Sequence, residues 1–228
     1  HQLHCAPARA VTRRALLNPS PANALLLALF TVVLWGAQLP IAKAAMTDID
    51  GYTVSMVRYC VAGLAFLLVL VWREGVGSLS SGGRGVLVAA SGGLGMAGSA
   101  LLVFVGLALT TPEVAVIIIA LQPGMAALAE WLLRGRRPAR FTLACLVIAF
   151  FGVVVVVTRG EPGLGGLAGG GPHALLGDLL VLLGAMAWVG YTMSTDRFGG
   201  WSSLRVASLT SLAALVATAL VWFIALWL

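Results

Sequence analysis

Residues 86–109 read VLVAASGGLGMAGSALLVFVGLAL, a run without a single charged side chain. A helix needs roughly 20 apolar residues to cross the hydrocarbon core of a bilayer, and a helix satisfies its own backbone hydrogen bonds there. The stretch is therefore a membrane span. Within it Ser91, Gly95 and Ser99 recur at intervals of four, a small-residue stripe of the kind that lets membrane helices approach closely. Two residues later Thr111-Pro112-Glu113 has the chemistry of a helix start: a capping hydroxyl, a proline at the first position, and an acid favoured by the helix dipole.

Working outward, apolar runs predict helices over 23–45, 52–72, 86–109, 112–133, 140–158, 174–195 and 202–227. The expected fold is an all-α integral membrane bundle of about seven spans. Composition agrees, with 60% hydrophobic and 10% charged residues and a mean hydropathy of +1.01. Soluble domains carry about a quarter charged residues. Residues 160–172 are glycine-rich and lack apolar periodicity, which reads as a linker.

The net charge of +6 does not point to nucleic acid, because the basic residues sit in short connectors where they orient spans. Arg9, Arg13, Arg14, Arg73, Arg84, Arg134, Arg136, Arg137, Arg140, Arg197 and Arg205 fall on one side of alternating helices. The other side has only Lys43 and Arg159, beside Asp48, Asp50 and Glu161. The N-terminus is thus expected in the cytoplasm, and Leu228 outside. Cys5, Cys60 and Cys145 show no metal spacing and read as a tail residue and two small buried hydrophobes. The chain stops at Trp227-Leu228 with no polar tail, which suggests a piece of something longer.

Enzyme chemistry finds little support. His1, His4 and His173 lie outside the spans, no Ser–His arrangement or intramembrane carboxylate pair is present, and no phosphate-cradling loop implies a cofactor or an ATPase. A weak internal echo is present instead: Leu34-Trp35-Gly36 resembles Trp188-Val189-Gly190, and Tyr52 through Arg58 resembles Trp201 through Arg205. The spacing of roughly 150 residues would give five helices per copy, so a second copy is inverted in the membrane.

Trp35-Gly36-Ala37-Gln38-Leu39-Pro40-Ile41-Ala42-Lys43, Arg58 after Ser55-Met56-Val57, Ala108-Leu109-Thr110-Thr111 through Leu121-Gln122-Pro123, Gly152-Val153, and Leu176-Gly177-Asp178-Leu179 with Ala187-Trp188 and Tyr191 occur in that order. This ordered set resembles the EamA-type transporters of the drug/metabolite superfamily. The resemblance implies a ten-helix 5+5 inverted repeat in the cell (inner) membrane. It implies alternating access through a central cavity for small metabolites or drugs, and no catalysis. It divides the chain into a cytoplasmic tail (1–22), a first five-helix repeat (23–158), a linker (159–173) and the start of a second repeat (174–228). The expected partners are a small-molecule substrate and the lipid bilayer, not nucleic acid, with a homodimer left open. A membrane structural or regulatory subunit is the alternative, and an intramembrane enzyme a weaker one. One departure stands out: where the family has Leu-Gly-Glu after the fourth helix, this chain has Arg134-Gly135-Arg136.

The residues expected to bind substrate are Trp35, Gln38, Arg58, Gln122, Pro123, Trp188 and Tyr191. Thr31, Trp35 and Gln38 share one helix face by spacing, and Gly184, Trp188 and Tyr191 share the corresponding face of the sixth helix. Arg58 lies about two turns inside its span, where it either binds a substrate carboxylate, pairs with Asp178, or snorkels to the interface. Gln122 and Pro123 mark an expected kink, and Pro40 another. Glu130 and Glu113 are the candidates for carrying a coupling proton. The plainer reading makes Glu130 an i, i+4 partner of Arg134, Glu113 a first-turn acid, and Asp178 an acid stabilised by its helix dipole.

Overall fold

The structure, a computed structural model, describes residues 21–157 and 173–227. The expected tail with Cys5 and the linker over 160–172 lie outside those residues. The fold is all-helical among the described residues: α1 (Pro21–Ala45), α2 (Gly51–Glu74), α3 (Gly85–Leu109), α4 (Pro112–Arg134), α5 (Arg140–Val157), α6 (Ala174–Ser194) and α7 (Ser203–Trp227). All except α5 are long and apolar enough to cross a membrane, and α5 is a shorter apolar helix. The six spans and the family findings below make this a multi-pass integral membrane protein.

Local chemistry sets the helix ends. The Asp50 carboxylate accepts the Thr53 N–H at 2.7 Å and the Thr53 hydroxyl at 2.9 Å, which starts α2. Thr111 caps α4 through the Val114 N–H, with Pro112 at the first position as expected. The last turn of α4 closes on Gly135, whose φ of 68° is the left-handed cap a side chain would resist.

The two prolines behave differently. α4 is interrupted at Leu121, two residues before Pro123, because proline offers no N–H and crowds the preceding turn. α1 runs through Pro40 without interruption. One irregularity was not foreseen. Within α3 the backbone widens to a π-helix over Ala90–Ala97, a stretch holding Gly92, Gly93 and Gly95.

The chain divides into two units, residues 1–41 and 42–228. In the first, described by itself, the exposed Thr31 of α1 returns its hydroxyl to the helix's own backbone, donating to the Leu27 carbonyl at 2.8 Å. In the second, α3 packs against both α6 and α7, α2 packs against α7, and α4 packs against α5 and α6. The α2–α7 pair is antiparallel: Trp222 Nε1 donates to Thr53 Oγ1 at 2.9 Å near one end, and Ser208 Oγ donates to the Phe66 carbonyl at 3.0 Å near the other.

The α3–α6 pair is also antiparallel and packs closely, with Val103 and Val181 seated against the glycines of the seam. A β-carbon at Gly106 would stand 2.7 Å from the Gly177 carbonyl oxygen, and one at Gly184 would stand 2.8 Å from that of Ser99. Close backbone approach of this kind is how helices associate where no hydrophobic force drives them together. The Ser91–Gly95–Ser99 stripe serves the same seam: Ser91 and Ser99 are buried, and Gly95 lies against Tyr191. Gly184 and Tyr191, grouped on one face by spacing, both meet α3, with Gly184 at the closest backbone approach. Cys60 is half-buried, while Cys145, expected to be buried, is exposed on α5.

Candidate functional site

Polar side chains inside an apolar bundle are costly unless satisfied or wet, so their positions mark the places where chemistry is arranged. Tyr191 is the most connected of them. It is buried on α6, its ring stacks at 5.2 Å on that of Trp188 one turn earlier, and its hydroxyl stands 3.3 Å from Thr210 Oγ1 of α7. Thr210 donates its own proton to the Val206 carbonyl at 2.7 Å, which leaves the Tyr191 hydroxyl to donate toward Thr210.

Tyr191 forms a wall of two cavities of about 390 Å³ each. One opens between the end of α6 and the start of α7, lined also by Thr195, Asp196, Phe198 and Trp201. The other lies between α3 and α6, lined by Ser91, Leu94, Gly95, Ser194 and Arg197. Across it Ser194 Oγ donates to Ser91 Oγ at 2.9 Å. A second tyrosine, Tyr59 of α2, is buried and donates to the Met96 carbonyl in the π segment at 2.7 Å.

Arg58, one residue earlier, is half-buried and lies over two rings, 5.5 Å from the centroid of Tyr59 and 5.6 Å from that of Phe104. Among the described residues no carboxylate comes within ion-pairing distance of it. The expected alternative of a pair with Asp178 is not what the structure holds. Asp178 accepts the Thr110 hydroxyl at 2.5 Å. Thr110 in turn presents its carbonyl to Lys43 Nζ at 3.0 Å, and Lys43 also donates to the Leu107 carbonyl at 2.5 Å. The cation thus sits on the C-terminal carbonyls of α3, where the helix dipole favours it.

The opposite end of α6 carries a second ionic group. Arg134 pairs with Glu130 at 2.8 Å, as its i, i+4 spacing predicts, and with Asp196 at 2.6 Å. It also donates to the Met193 carbonyl at 3.1 Å. Beside it Trp201 lies under both Arg205, at 4.3 Å, and Arg84, at 5.6 Å. Glu113 is exposed on the first turn of α4, its plainer placement.

Of the residues expected to bind substrate, Trp188 and Tyr191 come together and only Tyr191 borders the two cavities. Arg58 stands apart on α2. Gln122 is half-buried and Pro123 exposed at the break in α4. Trp35, exposed, and Gln38, half-buried, lie in the first unit. Thr210, Ser194 and Asp196 were not anticipated. The signal for the first was present: Ser208, Ser211, Ala214 and Thr218 recur at helical spacing in α7, and all are buried with Thr210.

A profile of the EamA-like transporter family matches residues 22–158. The chain is 30% identical over 181 residues to an uncharacterized transporter, YrdR, of Bacillus subtilis strain 168, covering 78% of this chain and 56% of that protein. It is 28% identical over 165 residues to a second uncharacterized transporter of that strain, YyaM, covering 72% and 52%. The chain therefore spans about half the length of the curated relatives it matches. A solved crystal structure superposes with a TM-score of 0.67 at 24% identity, covering 90% of this chain and 68% of that one, a likeness of fold.

Proposed function

The chain belongs to the EamA-like transporter family, and on that premise we propose that it forms part of a secondary transporter that moves small metabolites or drugs by alternating access through a central cavity. The observation that carries this reading is Tyr191. A buried aromatic side chain with its hydroxyl directed at Thr210, walling two cavities of about 390 Å³, is the kind of group that fixes the orientation of an amphipathic solute. The family match over residues 22–158 supports a first five-helix repeat, and the residues from 174 onward are proposed as part of a second, inverted one.

Trp35, Gln38, Arg58, Gln122, Pro123, Trp188 and Tyr191 are the proposed substrate-binding set. Within it Arg58 has the clearest task. Its guanidinium has no carboxylate within ion-pairing distance among the described residues, so a solute carboxylate would compensate it inside the membrane. Glu130, held by Arg134, and Glu113, exposed, are the proposed coupling acids. The membrane is the cell (inner) membrane, with the N-terminus in the cytoplasm.

The test is reconstitution of the complete gene product in proteoliposomes with a panel of labelled amphipathic carboxylates, amines and neutral compounds. Gradient-dependent uptake of at least one, reduced by Tyr191→Ala, is expected. No uptake of any compound by protein shown to be folded would overturn the reading.

A further inference from the structure

α6 is held to its neighbours by polar clips at both ends, with the Tyr191–Thr210 and Ser194–Ser91 contacts close to the second of them. At its first turns Asp178 accepts the hydroxyl of Thr110, the residue that ends α3, and the Thr110 carbonyl is held by Lys43. At its last turn the Met193 carbonyl, and just beyond it the Asp196 carboxylate, accept from Arg134, the last residue of α4. Fifteen residues separate Asp178 from Met193, which at 1.5 Å each is about 22 Å, most of the hydrocarbon thickness.

Between the clips the α3–α6 seam is close-packed and apolar. Gly177 faces Gly106, Gly184 faces the Ser99 carbonyl, and the side chains of Val103 and Val181 fill the notches at Gly184 and Gly106. Packing of this kind holds α3 and α6 at close range, while the clips at the ends of α6 are polar groups that can part without leaving a large void. Both cavities that share Tyr191 adjoin the Asp196 end: Asp196 lines one, and Ser194 and Arg197 line the other.

We infer that the two clips are the two gates of the transport cycle. The Asp178–Thr110–Lys43 clip closes one membrane face, the Arg134–Asp196 clip closes the other, and the states open to either side differ in which clip is made. The inference rests on the transporter reading and deepens it by naming the groups that gate. It also requires reciprocity, since releasing one clip shifts the population toward the state that keeps the other.

The experiment uses the complete gene product in membrane vesicles of both orientations, with Cys5, Cys60 and Cys145 replaced. Single reporters are Val206→Cys beside the Asp196 clip and Ala115→Cys, a fully buried position on α4 toward its Thr111 end. An impermeant maleimide is added without substrate. Asp196→Asn should raise labelling of the Val206 reporter about tenfold and lower that of the Ala115 reporter, and Asp178→Asn should do the reverse. The charge-preserving Asp196→Glu should keep the starting rates, which separates loss of the clip's charge from loss of folding. Labelling that changes at the mutated end alone, at neither end, or equally in Asp196→Glu would overturn the gates. Reciprocal labelling in a protein that moves no solute would overturn the transporter reading while leaving the coupled clips in place.

Discussion

The hydroxyl of Tyr191 and Oγ1 of Thr210 stand 3.3 Å apart in the buried seam where α6 meets α7. The hydroxyl is the only part of Tyr191 that a phenylalanine lacks, so the two roles of the residue can be separated. Tyr191→Phe should weaken substrate affinity by about 1 kcal/mol, roughly fivefold, with folding intact. Tyr191→Ala should lose the aromatic wall as well and cost more. Titration of uptake against substrate concentration checks the ordering.

Arg58 and Arg84 both lie over aromatic rings, yet their surroundings differ. Arg58 is inside α2, while Arg84 precedes α3 and donates to the Gly199 carbonyl at 3.1 Å. Arg58→Ala should reduce transport of an anionic solute by tenfold or more, the order expected for one charge-assisted contact. Arg84→Ala should leave it within about twofold, since its contacts are exposed ones. Equal rates for the two variants at equal expression would remove Arg58 from the site.

Gly184 and Gly190 lie on one helix and should respond oppositely to alanine. At Gly184 the added carbon would meet Val103 Cγ2 at 2.7 Å and the Ser99 carbonyl, so overpacking should cost about 1–3 kcal/mol. At Gly190 nothing stands within 4 Å, and alanine gains up to about 1 kcal/mol of helix propensity. Thermal unfolding in detergent should move down for the first and stay or rise for the second.

Asp50 gives a pH dependence of known sign. Partial burial pushes its carboxyl up, but the backbone N–H and the hydroxyl of Thr53 outweigh that and hold it below 3.8. A folded-state value below the unfolded one means the contribution is whole at neutral pH and is lost as pH falls through the folded value. Asp50→Ala should cost about 1 kcal/mol of stability at pH 7. The gap to wild type should narrow as the pH drops below about 3.9, the unfolded carboxyl value. A gap that stayed constant between pH 7 and pH 3 would show that the charge of Asp50 contributes nothing.

Sidedness is checked with cysteines placed at 136 and 166 and an impermeant reagent on intact cells. Position 166 should label and position 136 should not. Labelling at 136 alone would invert the bundle.

The spans were legible because lipid demands long apolar helices, and residues such as Pro123, Thr111 and Pro112 act locally. The break at Leu121 and the start of α4 are written within a few residues of themselves. What escaped the sequence was every choice made at a distance. Asp178 could be placed on a helix start, but its partner Thr110 is 68 residues away, and Arg134 meets Asp196 across 62. Spacing put Gly184 on the face of Tyr191, and both meet α3, but that the glycine marks a close backbone approach shows only once the Ser99 carbonyl lies beside it.

The widened stretch Ala90–Ala97 has a consequence for how such chains diverge. A π turn carries an extra residue relative to the α ladder, which rotates one half of a helix against the other by roughly 100°. Here Ser99, Val103 and Gly106 meet α6, while Gly92 is turned onto the Thr210 carbonyl and Ala213 of α7. One helix thereby serves two neighbours that a regular ladder would align along a single stripe. Deleting one residue at Gly93 would heal the ladder without shortening the span below the bilayer, but it would hand the α7 contacts to the wrong face. Gaps in this stretch among relatives should therefore travel with compensating changes at Thr210 and Ala213, and an alignment that slides α3 through without a gap would pair residues that point in different directions.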